Sequence, residues 1–258
     1  MTYTNHHSKY SICITCRNEA GTIEHSLSSI LDQIDDRFEV VIVDSHSDDG
    51  THDTLMTLAK AGAIKLVTER CSRGEGRQIA FENSSGDYIV AHMDMDDTFK
   101  PSLISLLELY HQRCEGNLLL AIFNAKKQLR GVQNIIVSTR ELMASLGGWR
   151  DLQRFEDWDL WSRAAKIGKY CWAEFPLLDT WNRHPERKNF RQNLKFRYLR
   201  YRDSLRLGIR IFSEDEEVGV SQRVVALMAR LGASFHHNYE DEFNKNFKPY
   251  NKAYQLQP

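Results

Sequence analysis

A short acidic run is the part of this sequence whose residue types indicate chemistry most directly. It reads Asp94-Met95-Asp96-Asp97 and follows an apolar stretch that is typical of a buried strand. Two carboxylates one residue apart can bind the same cation, and Mg²⁺ and Mn²⁺ accept such hard oxygen ligands together with substrate phosphates. The run therefore predicts a metal site at Asp94 and Asp96.

The same run has two structural explanations, which the sequence leaves open. It would also serve as an acidic turn exposed to solvent, or as the cap of a helix that begins at Phe99, because Asp is a favoured N-cap residue. Asp97 is the residue best placed for that cap. We therefore expect Asp97 to tolerate substitution by Asn or Ser better than Asp94 or Asp96 does.

A second candidate segment reads Arg73-Gly74-Glu75-Gly76-Arg77. Its glycines would let the backbone approach a ligand closely, and its two guanidinium groups suit a diphosphate. It is neither a P-loop nor a Gly-x-Gly-x-x-Gly fingerprint, because the residues that complete those motifs are missing. Since it lies one helix and one strand before the acidic run, we expect it to contact a diphosphate rather than to be an exposed loop without function.

The third candidate segment, residues 155–161, opens a helix with acidic side chains. The helix dipole stabilises carboxylates at this position, so they need no catalytic explanation. One of them would equally suit a general base that takes a proton from the hydroxyl group of an acceptor. The sequence leaves both interpretations open.

Hydrophobic periodicity places these segments in an alternation of strands and helices. Short apolar runs rich in β-branched residues predict strands, and apolar residues at helical spacing predict helices. The predicted strands are 10–16, 38–44, 63–67, 88–93 and 118–123, and the predicted helices are 22–33, 51–61, 77–83, 102–114, 156–167 and 218–235. This order predicts an α/β fold with a mostly parallel sheet.

Polar segments follow three of the predicted strands directly. They are residues 15–19, 44–49 and 94–97. Because ligands of such sheets bind beyond the carboxyl ends of the strands, we expect the three segments to converge on one crevice. This convergence favours a functional site more strongly than any single motif does.

Taken in order, the motifs resemble those of family 2 glycosyltransferases over about Tyr10 to His184. At Arg17 this chain departs from the family, which often has an aromatic residue there. The motifs that carry the likeness are Thr15-Cys16-Arg17-Asn18-Glu19, Val43-Asp44-Ser45-His46-Ser47-Asp48-Asp49-Gly50-Thr51, Gly76-Arg77, Asp94-Met95-Asp96-Asp97, Gly147-Gly148-Trp149, Glu156-Asp157 and Trp181-Asn182-Arg183-His184-Pro185.

The resemblance implies a GT-A nucleotide-diphospho-sugar transferase fold, with a mostly parallel Rossmann-like sheet flanked by helices. It also implies a divalent metal cofactor, Mn²⁺ or Mg²⁺, held by Asp94 and Asp96. His184 is implied as a third metal ligand, and a histidine in a surface turn before a proline is the alternative. Imidazole suits Mn²⁺ better than Mg²⁺.

The resemblance also implies roles for individual residues. Asp44 would contact the nucleoside, Arg77 would bind the diphosphate, and Asp157 would be the catalytic base with Glu156 beside it. The other substrate-binding residues on this interpretation are Thr15, Arg17, Asn18, Glu19, Arg73, Gly74, Asp94, Met95, Trp158 and Arg183.

The implied activity is an inverting transfer of a hexose-type sugar to a hydroxyl of a glycan or lipid-linked acceptor, in cell-surface polysaccharide or glycoconjugate synthesis. The donor would be a nucleotide-diphosphate sugar, with a UDP-sugar favoured and GDP-mannose as the alternative. Two other functions are a metal-dependent sugar nucleotidyltransferase and a nucleotide-sugar-binding module without turnover. The nucleotidyltransferase would have a Gly-rich basic loop after the first strand, and residues 15–21 contain none.

Composition limits the classes of partner. The chain has 258 residues, 41% of them hydrophobic, and a formal net charge of -1, so nothing global favours nucleic acid. Five cysteines do not form the pattern of a secreted disulfide framework or of a zinc site. With no apolar targeting or spanning segment, we expect a cytoplasmic protein, or one that is peripheral at the inner face of the membrane.

A change of composition after Pro185 suggests a domain boundary. We expect a catalytic domain over 1–186, with a nucleotide-sugar half at about 10–100 and an acceptor half at 101–186, and a helical extension over 187–258. Arginine, lysine and aromatic residues dominate 187–210. Residues 187–235 would contact an anionic membrane, or would pack their aromatic side chains on the catalytic domain.

Overall fold

The computed structural model describes residues 9–122, 134–175, 178–181, 190–209, 220–240, 243 and 247–256. The strands are β1 (Tyr10–Cys16), β2 (Phe38–Asp44), β3 (Lys65–Thr68), β4 (Tyr88–Ala91), β5 (Asp97–Phe99), β6 (Leu118–Ile122), β7 (Asn134–Thr139), β8 (Tyr170–Glu174) and β9 (Leu178–Trp181). The helices are α1 (Ile23–Leu31), α2 (Thr51–Lys60), α3 (Arg73–Glu82), α4 (Leu103–Arg113), α5 (Arg140–Ser145), α6 (Glu156–Lys166), α7 (Phe190–Arg206) and α8 (Val220–Ser234).

Seven of these strands form one sheet in the order β3-β2-β1-β4-β7-β6-β8, and β5 and β9 form a separate pair. All neighbours in the large sheet are parallel except β7, which is antiparallel to both β4 and β6. The predicted mostly parallel α/β sheet is thereby confirmed. The chain adds β2 and β3 on one side of β1 and then crosses to place β4 on the other side. The carboxyl ends of β1 and β4 therefore flank the switch point of the sheet, where such folds bind ligands.

Helices cover both faces of the sheet, which explains why the central strands carry apolar residues on both faces. In β1, Ile12 and Ile14 point into the core beneath α1, α2 and α4, whereas Cys13 points into the core beneath α3, α5 and α6. Alternate residues of β2 divide in the same way. Both faces bury apolar area, and this burial is the main stabilising contribution to such a sheet.

The main differences from the prediction concern α3, the segment after the acidic run, β3 and β7. Helix α3 begins at Arg73 rather than at residue 77, because Ser72 and Glu75 form a capping box that stabilises an earlier start. The helix predicted over 102–114 is observed as Leu103–Arg113, whereas residues 97–99, where the alternative interpretation placed the cap and start of a helix, form β5. Strand β3 is shifted towards the C-terminus by one to two residues, and β7 was not predicted.

The C-terminal residues 247–256 pack against β8. Trp172 Nε1 donates a hydrogen bond to the Asn251 carbonyl (2.8 Å), and the Leu256 amide donates to the Trp172 carbonyl (2.9 Å). Residues 247–256 are thus attached to the catalytic sheet, and the boundary at residue 186 stays a prediction. Among the described helices, none combines the length and apolarity that crossing a bilayer requires.

Candidate active site

Side-chain hydrogen bonds join the loops that follow β1 and β2. The Asn18 amide donates to Ser47 Oγ (2.9 Å), and Asn18 Nδ2 donates to Asp48 Oδ1 (2.8 Å). The Asp48 amide donates back to Asn18 Oδ1 at 3.0 Å. The two polar segments form one rim of the crevice, as the sequence predicted.

Every described non-glycine residue with a left-handed backbone lies beside this crevice. Asn18, His46 and His92 follow β1, β2 and β4 with φ of 58°, 51° and 71°, and Phe155 precedes α6 with φ of 64°. Such conformations are disfavoured for residues with a Cβ and occur where the surrounding structure imposes them. The strain marks the same edge of the sheet that the polar motifs indicated.

The acidic run after β4 brings three carboxylates together. Oxygens of Asp94, Asp96 and Asp97 lie within 4.8 Å of one another. Asp97 is 2% exposed and opens β5, so its predicted role as a helix cap is wrong. Met95, expected to bind substrate, turns its side chain into the hydrophobic core, where it is 2% exposed. Only its backbone belongs to the site.

A serine of α1 holds the backbone of the acidic run. The buried hydroxyl of Ser26 donates to the Met95 carbonyl (2.9 Å) and also lies within hydrogen-bond distance of the Asp97 carbonyl. One turn further along, Ser29 Oγ accepts from the Phe99 amide (3.1 Å). Nothing in the sequence indicates these contacts, because Ser26 and Ser29 occupy ordinary polar positions of an amphipathic helix.

Arg77 connects α3 to the acidic run and to α6. Its Nη1 donates to Glu156 Oε1 at 2.7 Å, and its Nη2 lies 3.7 Å from Asp94 Oδ1. Arg77 is 5% exposed and Glu156 is 3% exposed. Burial raises the pKa of Glu156, while Arg77 beside it acts in the opposite direction. Glu156 is therefore the buried partner of Arg77, which leaves Asp157 as the candidate base.

The segment Arg73 to Arg77 forms the start of α3, and its contact with a diphosphate stays a prediction. Its glycines allow close packing within the protein: a Cβ on Gly74 would lie 2.0 Å from the Arg150 carbonyl oxygen, and one on Gly76 would lie 2.3 Å from Thr15 Oγ1. The Gly74 amide donates to the Leu152 carbonyl (2.9 Å). Gly74 is thus explained by helix packing rather than by ligand contact.

Arg73 lies in the combined field of the site's carboxylates. Burial opposes its charge, but Asp94, Glu156, Asp157 and Asp96 together raise its pKa above the usual arginine value. About a third of its side chain is accessible, 36% against 6% for Arg77. Arg73 is therefore the more accessible of the two cations next to the acidic run.

Glu19 lies across the crevice from the acidic run. Burial, followed by the charges of Asp96 and Asp94, raises the pKa of its carboxyl group to about 7. Its amide donates to Thr51 Oγ1 at 2.7 Å, which fixes the loop after β1 on α2. Glu19 lies near enough to Asp94 and Asp96 for their charges to interact, and a cation bound at the acidic run would reduce this repulsion.

Asp44, expected to contact a nucleoside, is fully buried at the end of β2. Its Oδ1 accepts from Ser47 Oγ (2.5 Å), and its Oδ2 lies 2.9 Å from His52 Nδ1. Both oxygens are thus engaged within the protein. In this structure the carboxylate holds the loop after β2, and its contact with a nucleoside stays a prediction.

Asp157 and Trp158 lie in the first turn of α6. Asp157 is partly exposed, and its Oδ1 accepts from the Trp158 amide (2.8 Å). Trp158 is 37% exposed and meets Phe155 edge to face at 6.2 Å. An accessible carboxylate next to an accessible indole ring suits a base beside a sugar-binding surface.

A profile of the family described as glycosyl transferase family 2 matches residues 11–146, which is more than half of the chain. The chain belongs to glycosyl transferase family 2. This match covers the loops after β1, β2 and β4 and all of α3, the elements that carry the acidic run and Arg77.

Curated relatives and solved structures agree with this membership. The chain is 27% identical over 217 residues to the probable glycosyltransferase YdaM of Bacillus subtilis, covering 69% of this chain and 51% of the relative. It is 33% identical over 100 residues to the putative teichuronic acid biosynthesis glycosyltransferase TuaG of Bacillus subtilis, covering 38% and 39% of the two chains. The chain thus spans about half or less of the length of these relatives.

Two solved structures share the fold at low identity. A mannosyltransferase from Pyrobaculum calidifontis, in complex with GDP-Man and Mn²⁺, superposes with a TM-score of 0.59 at 18% identity and covers 90% of this chain and 76% of its own. S. aureus TarS in complex with UDP gives a TM-score of 0.56 at 15% identity, covering 93% and 75%. The family 2 chain therefore has the GT-A fold that its motifs implied.

Of the remaining predicted site residues, two lie in the described part of the chain and two lie outside it. Arg17 is exposed at the crevice, and Thr15 is partly exposed under α3. Arg183 and His184 lie outside the described residues, so their roles stay predictions.

Sequence reasoning missed the network that supports α6. Asp159 is fully buried between Arg150 and Arg163, with N–O distances of 2.9 and 2.7 Å. Its place among the other acidic residues of the motif gave no sign that it is structural.

The Gly147-Gly148-Trp149 motif of this family 2 chain is tied to α3 and β4. The Trp149 amide donates to Gln78 Oε1 (2.8 Å), and its Nε1 donates to His92 Nε2 (3.1 Å). His92 Nδ1 in turn lies 3.0 Å from Asn134 Oδ1. The imidazole is therefore the neutral Nδ1–H tautomer, and it fixes the backbone two residues before Asp94.

Proposed function

We propose that this chain is an inverting glycosyltransferase that uses a nucleotide-diphosphate sugar. The observation that carries the proposal is the buried Arg77, which bridges Asp94 of the acidic run and Glu156 of α6. This arrangement puts a fixed cation beside a carboxylate cluster at the switch point of a family 2 sheet. A cation and a metal-binding cluster in contact are what an anionic leaving group requires.

The residues present fit a divalent cation. Three carboxylates with oxygens within 4.8 Å of one another offer the hard donors that Mn²⁺ and Mg²⁺ prefer. Asp94 and Asp96 would hold the ion, and Asp97 joins them in place of its expected capping role. When bound, the ion would offset the charge of the departing nucleoside diphosphate.

The protein's own groups would divide the reaction between them. Arg77 and the more accessible Arg73 would bind the diphosphate oxygens, with Glu156 fixing the direction of the Arg77 guanidinium. Asp157 would take the proton of the acceptor hydroxyl as the acceptor oxygen bonds to the anomeric carbon. The bond from that carbon to the diphosphate breaks in the same step, so the configuration inverts and no covalent intermediate forms.

The ligands and names of similar proteins support a class of donor and a class of acceptor for this proposal. Solved structures that share the fold contain UDP or GDP-Man, which supports a UDP-sugar or GDP-mannose as donor. The name of TuaG refers to teichuronic acid synthesis, which supports a cell-surface glycan or its lipid-linked precursor as acceptor. Trp158, exposed next to Asp157, would stack on the acceptor sugar.

A donor panel tests the proposal. The full chain is incubated with Mn²⁺ and UDP-, GDP- or dTDP-sugars, and the nucleoside diphosphate released is measured with and without glycan acceptors. We expect release from one nucleotide class, and inversion by NMR of the product. Pyrophosphate release from a nucleoside triphosphate and a sugar phosphate would instead identify a nucleotidyltransferase, and binding without any release would identify a non-catalytic module.

A further inference from the structure

Helix α8 presents one apolar face to solvent. The side chains of Val224, Leu227, Met228, Leu231 and Phe235, the last directly after the helix, are 52%, 59%, 57%, 60% and 86% exposed. At about 100° per residue, these positions fall within about 100° of the helix circumference. They are five of the eight large apolar side chains exposed in the described part of the chain, and such a concentration marks an interaction surface.

Another side of α8 already has a partner. Val225 and Ala229 are 7% and 0% exposed where α8 packs on α7. Gly232 permits this close approach, because a Cβ there would lie 2.1 Å from the Tyr198 hydroxyl oxygen. The apolar face therefore stays exposed although α8 is packed on α7 through other residues.

The exposed charges of the α7–α8 pair are of one sign. Within its described side chains the only acidic residue is Asp203, which is fully buried. The charged side chains exposed to solvent are Arg191, Lys195, Arg197, Arg200 and Arg230. Since the whole chain has a net charge of -1, positive charge is concentrated on this pair.

We propose that α7 and α8 dock the protein on an anionic lipid bilayer. The apolar face of α8 enters the boundary between headgroups and acyl chains, and the cations of the pair contact lipid phosphates. A second copy of the chain fits less well, because a two-fold contact through this face would bring the same cations together. An anionic bilayer would bury the apolar face and would also pair its phosphates with the exposed cations.

The docked helix pair is tied to the segment that precedes α6. Asp203 Oδ2 accepts from the amides of Gln153 (2.8 Å) and Arg154 (3.0 Å). The Arg154 guanidinium lies 4.3 Å from the centre of the Phe196 ring of α7. Docking would thus set the distance of Asp157 from the bilayer, which suits a lipid-linked acceptor. This last step rests on the proposed function, whereas docking itself does not.

Vesicle flotation of the full chain tests the proposal without any sugar donor. We expect the protein to float with vesicles of phosphatidylglycerol and phosphatidylcholine in equal parts and to stay in solution with phosphatidylcholine alone. High salt should weaken the binding, since screening acts on the cations. The Arg191→Glu/Lys195→Glu variant should bind more weakly, by at least about fivefold for each cation removed.

A variant of the apolar face separates docking from misfolding. Leu227→Ser/Met228→Ser/Leu231→Ser changes exposed side chains only, so it should keep its circular dichroism spectrum and lose flotation. Ile167→Ser, which changes an apolar side chain of similar exposure (56%) directly after α6, is the matched control and should float normally. Equal flotation of the triple variant, or no flotation of the unaltered chain, would overturn the proposal. A dimer that the triple variant abolishes, without vesicle binding, would assign the face to a second copy.

Discussion

The hydroxyl group of Ser26 lies 2.9 Å from the carbonyl oxygen of Met95, so α1 holds the backbone between two of the carboxylates, Asp94 and Asp96. Ser26 points away from the crevice and would not touch a substrate. It positions the acidic run from behind, as supporting hydrogen bonds commonly do in metal sites.

Ser26→Ala should therefore weaken the binding of Mn²⁺ by about tenfold, within the range found for supporting residues. The loss of one buried hydrogen bond should lower the free energy of unfolding by about 1 kcal/mol. Titration calorimetry with Mn²⁺ and urea denaturation measure the two effects. Ser28→Ala changes an exposed serine of the same helix and should alter neither. Unchanged Mn²⁺ affinity in Ser26→Ala would show that the run is held by other contacts.

Asp97→Asn should abolish metal-dependent turnover as completely as Asp94→Asn or Asp96→Asn does. This reverses the tolerance expected from the sequence, because Asp97 is buried within the carboxylate cluster. Chelation by EDTA should stop turnover, and added Mn²⁺ or Mg²⁺ should restore it. Turnover and Mn²⁺ binding are measured on all three variants, with the exposed Asp36→Asn as control. A fully active Asp97→Asn enzyme would remove Asp97 from the site.

Arg77→Met should destabilise the fold and abolish turnover, because it leaves the buried carboxyl group of Glu156 without its cation. Breaking a buried pair in this way costs about 3–5 kcal/mol. Adding Glu156→Gln removes the unpaired acid, so the double variant should regain part of the stability and none of the turnover. Urea denaturation and a nucleoside diphosphate release assay separate the two effects, and the exposed Lys60→Met is the control. Turnover regained together with stability would contradict a role for Arg77 in binding the diphosphate.

Asp157→Asn should lower kcat by about 10²–10⁴-fold, the usual contribution of a general base. Binding of UDP or GDP with Mn²⁺ should stay as it is, because the variant keeps the shape of the side chain and the bond from the Trp158 amide. Calorimetry of nucleotide binding and a pH–rate profile of both enzymes are the measurements. The exposed Asp151→Asn, six residues earlier, should behave like the unaltered chain. Loss of nucleotide binding together with turnover would assign Asp157 to the donor site instead.

Two adjacent glycines allow a matched test of packing behind the site. Gly147 and Gly148 both have left-handed φ, 75° and 62°, so alanine at either costs about 1–2 kcal/mol of stability. A Cβ on Gly147 meets nothing within 4 Å, whereas one on Gly148 would lie 1.9 Å from Gln78 Oε1, the acceptor of the Trp149 amide. Gly148→Ala should therefore cost at least about 1 kcal/mol more than Gly147→Ala in urea denaturation. Equal costs would show that Gln78 can move without loss.

The sequence predicted the parts of this protein that depend on local pattern. Strands β1 and β2 were predicted with the observed bounds, because short runs rich in β-branched residues and bounded by polar segments leave few alternatives. The early start of α3 was also readable, since Ser72 and Glu75 have the spacing of a capping box. The helix was instead predicted to begin at residue 77, because the glycines at 74 and 76 were interpreted as positions of close approach to a ligand.

What the sequence did not predict depends on contacts between distant residues. Arg77 and Glu156 are 79 positions apart, and nothing in either motif indicates that the second is the buried partner of the first. The place of Asp97 in the carboxylate cluster depends on β9, because residue 97 belongs to β5 and β5 pairs with β9. Ser26 donates its hydrogen bond to a backbone carbonyl, which every residue has, so the residue types at positions 94–97 do not indicate this contact.

The left-handed residues around the crevice limit how far this protein can be made heat-resistant. Asn18, His46, His92 and Phe155 each hold a backbone conformation that glycine would adopt at lower free energy. Selection for thermal tolerance alone would move these positions towards glycine, and at Asn18 and His92 it would discard the side-chain hydrogen bonds that hold the loops. Thermal stability and the support of the site therefore favour different residues at these two positions.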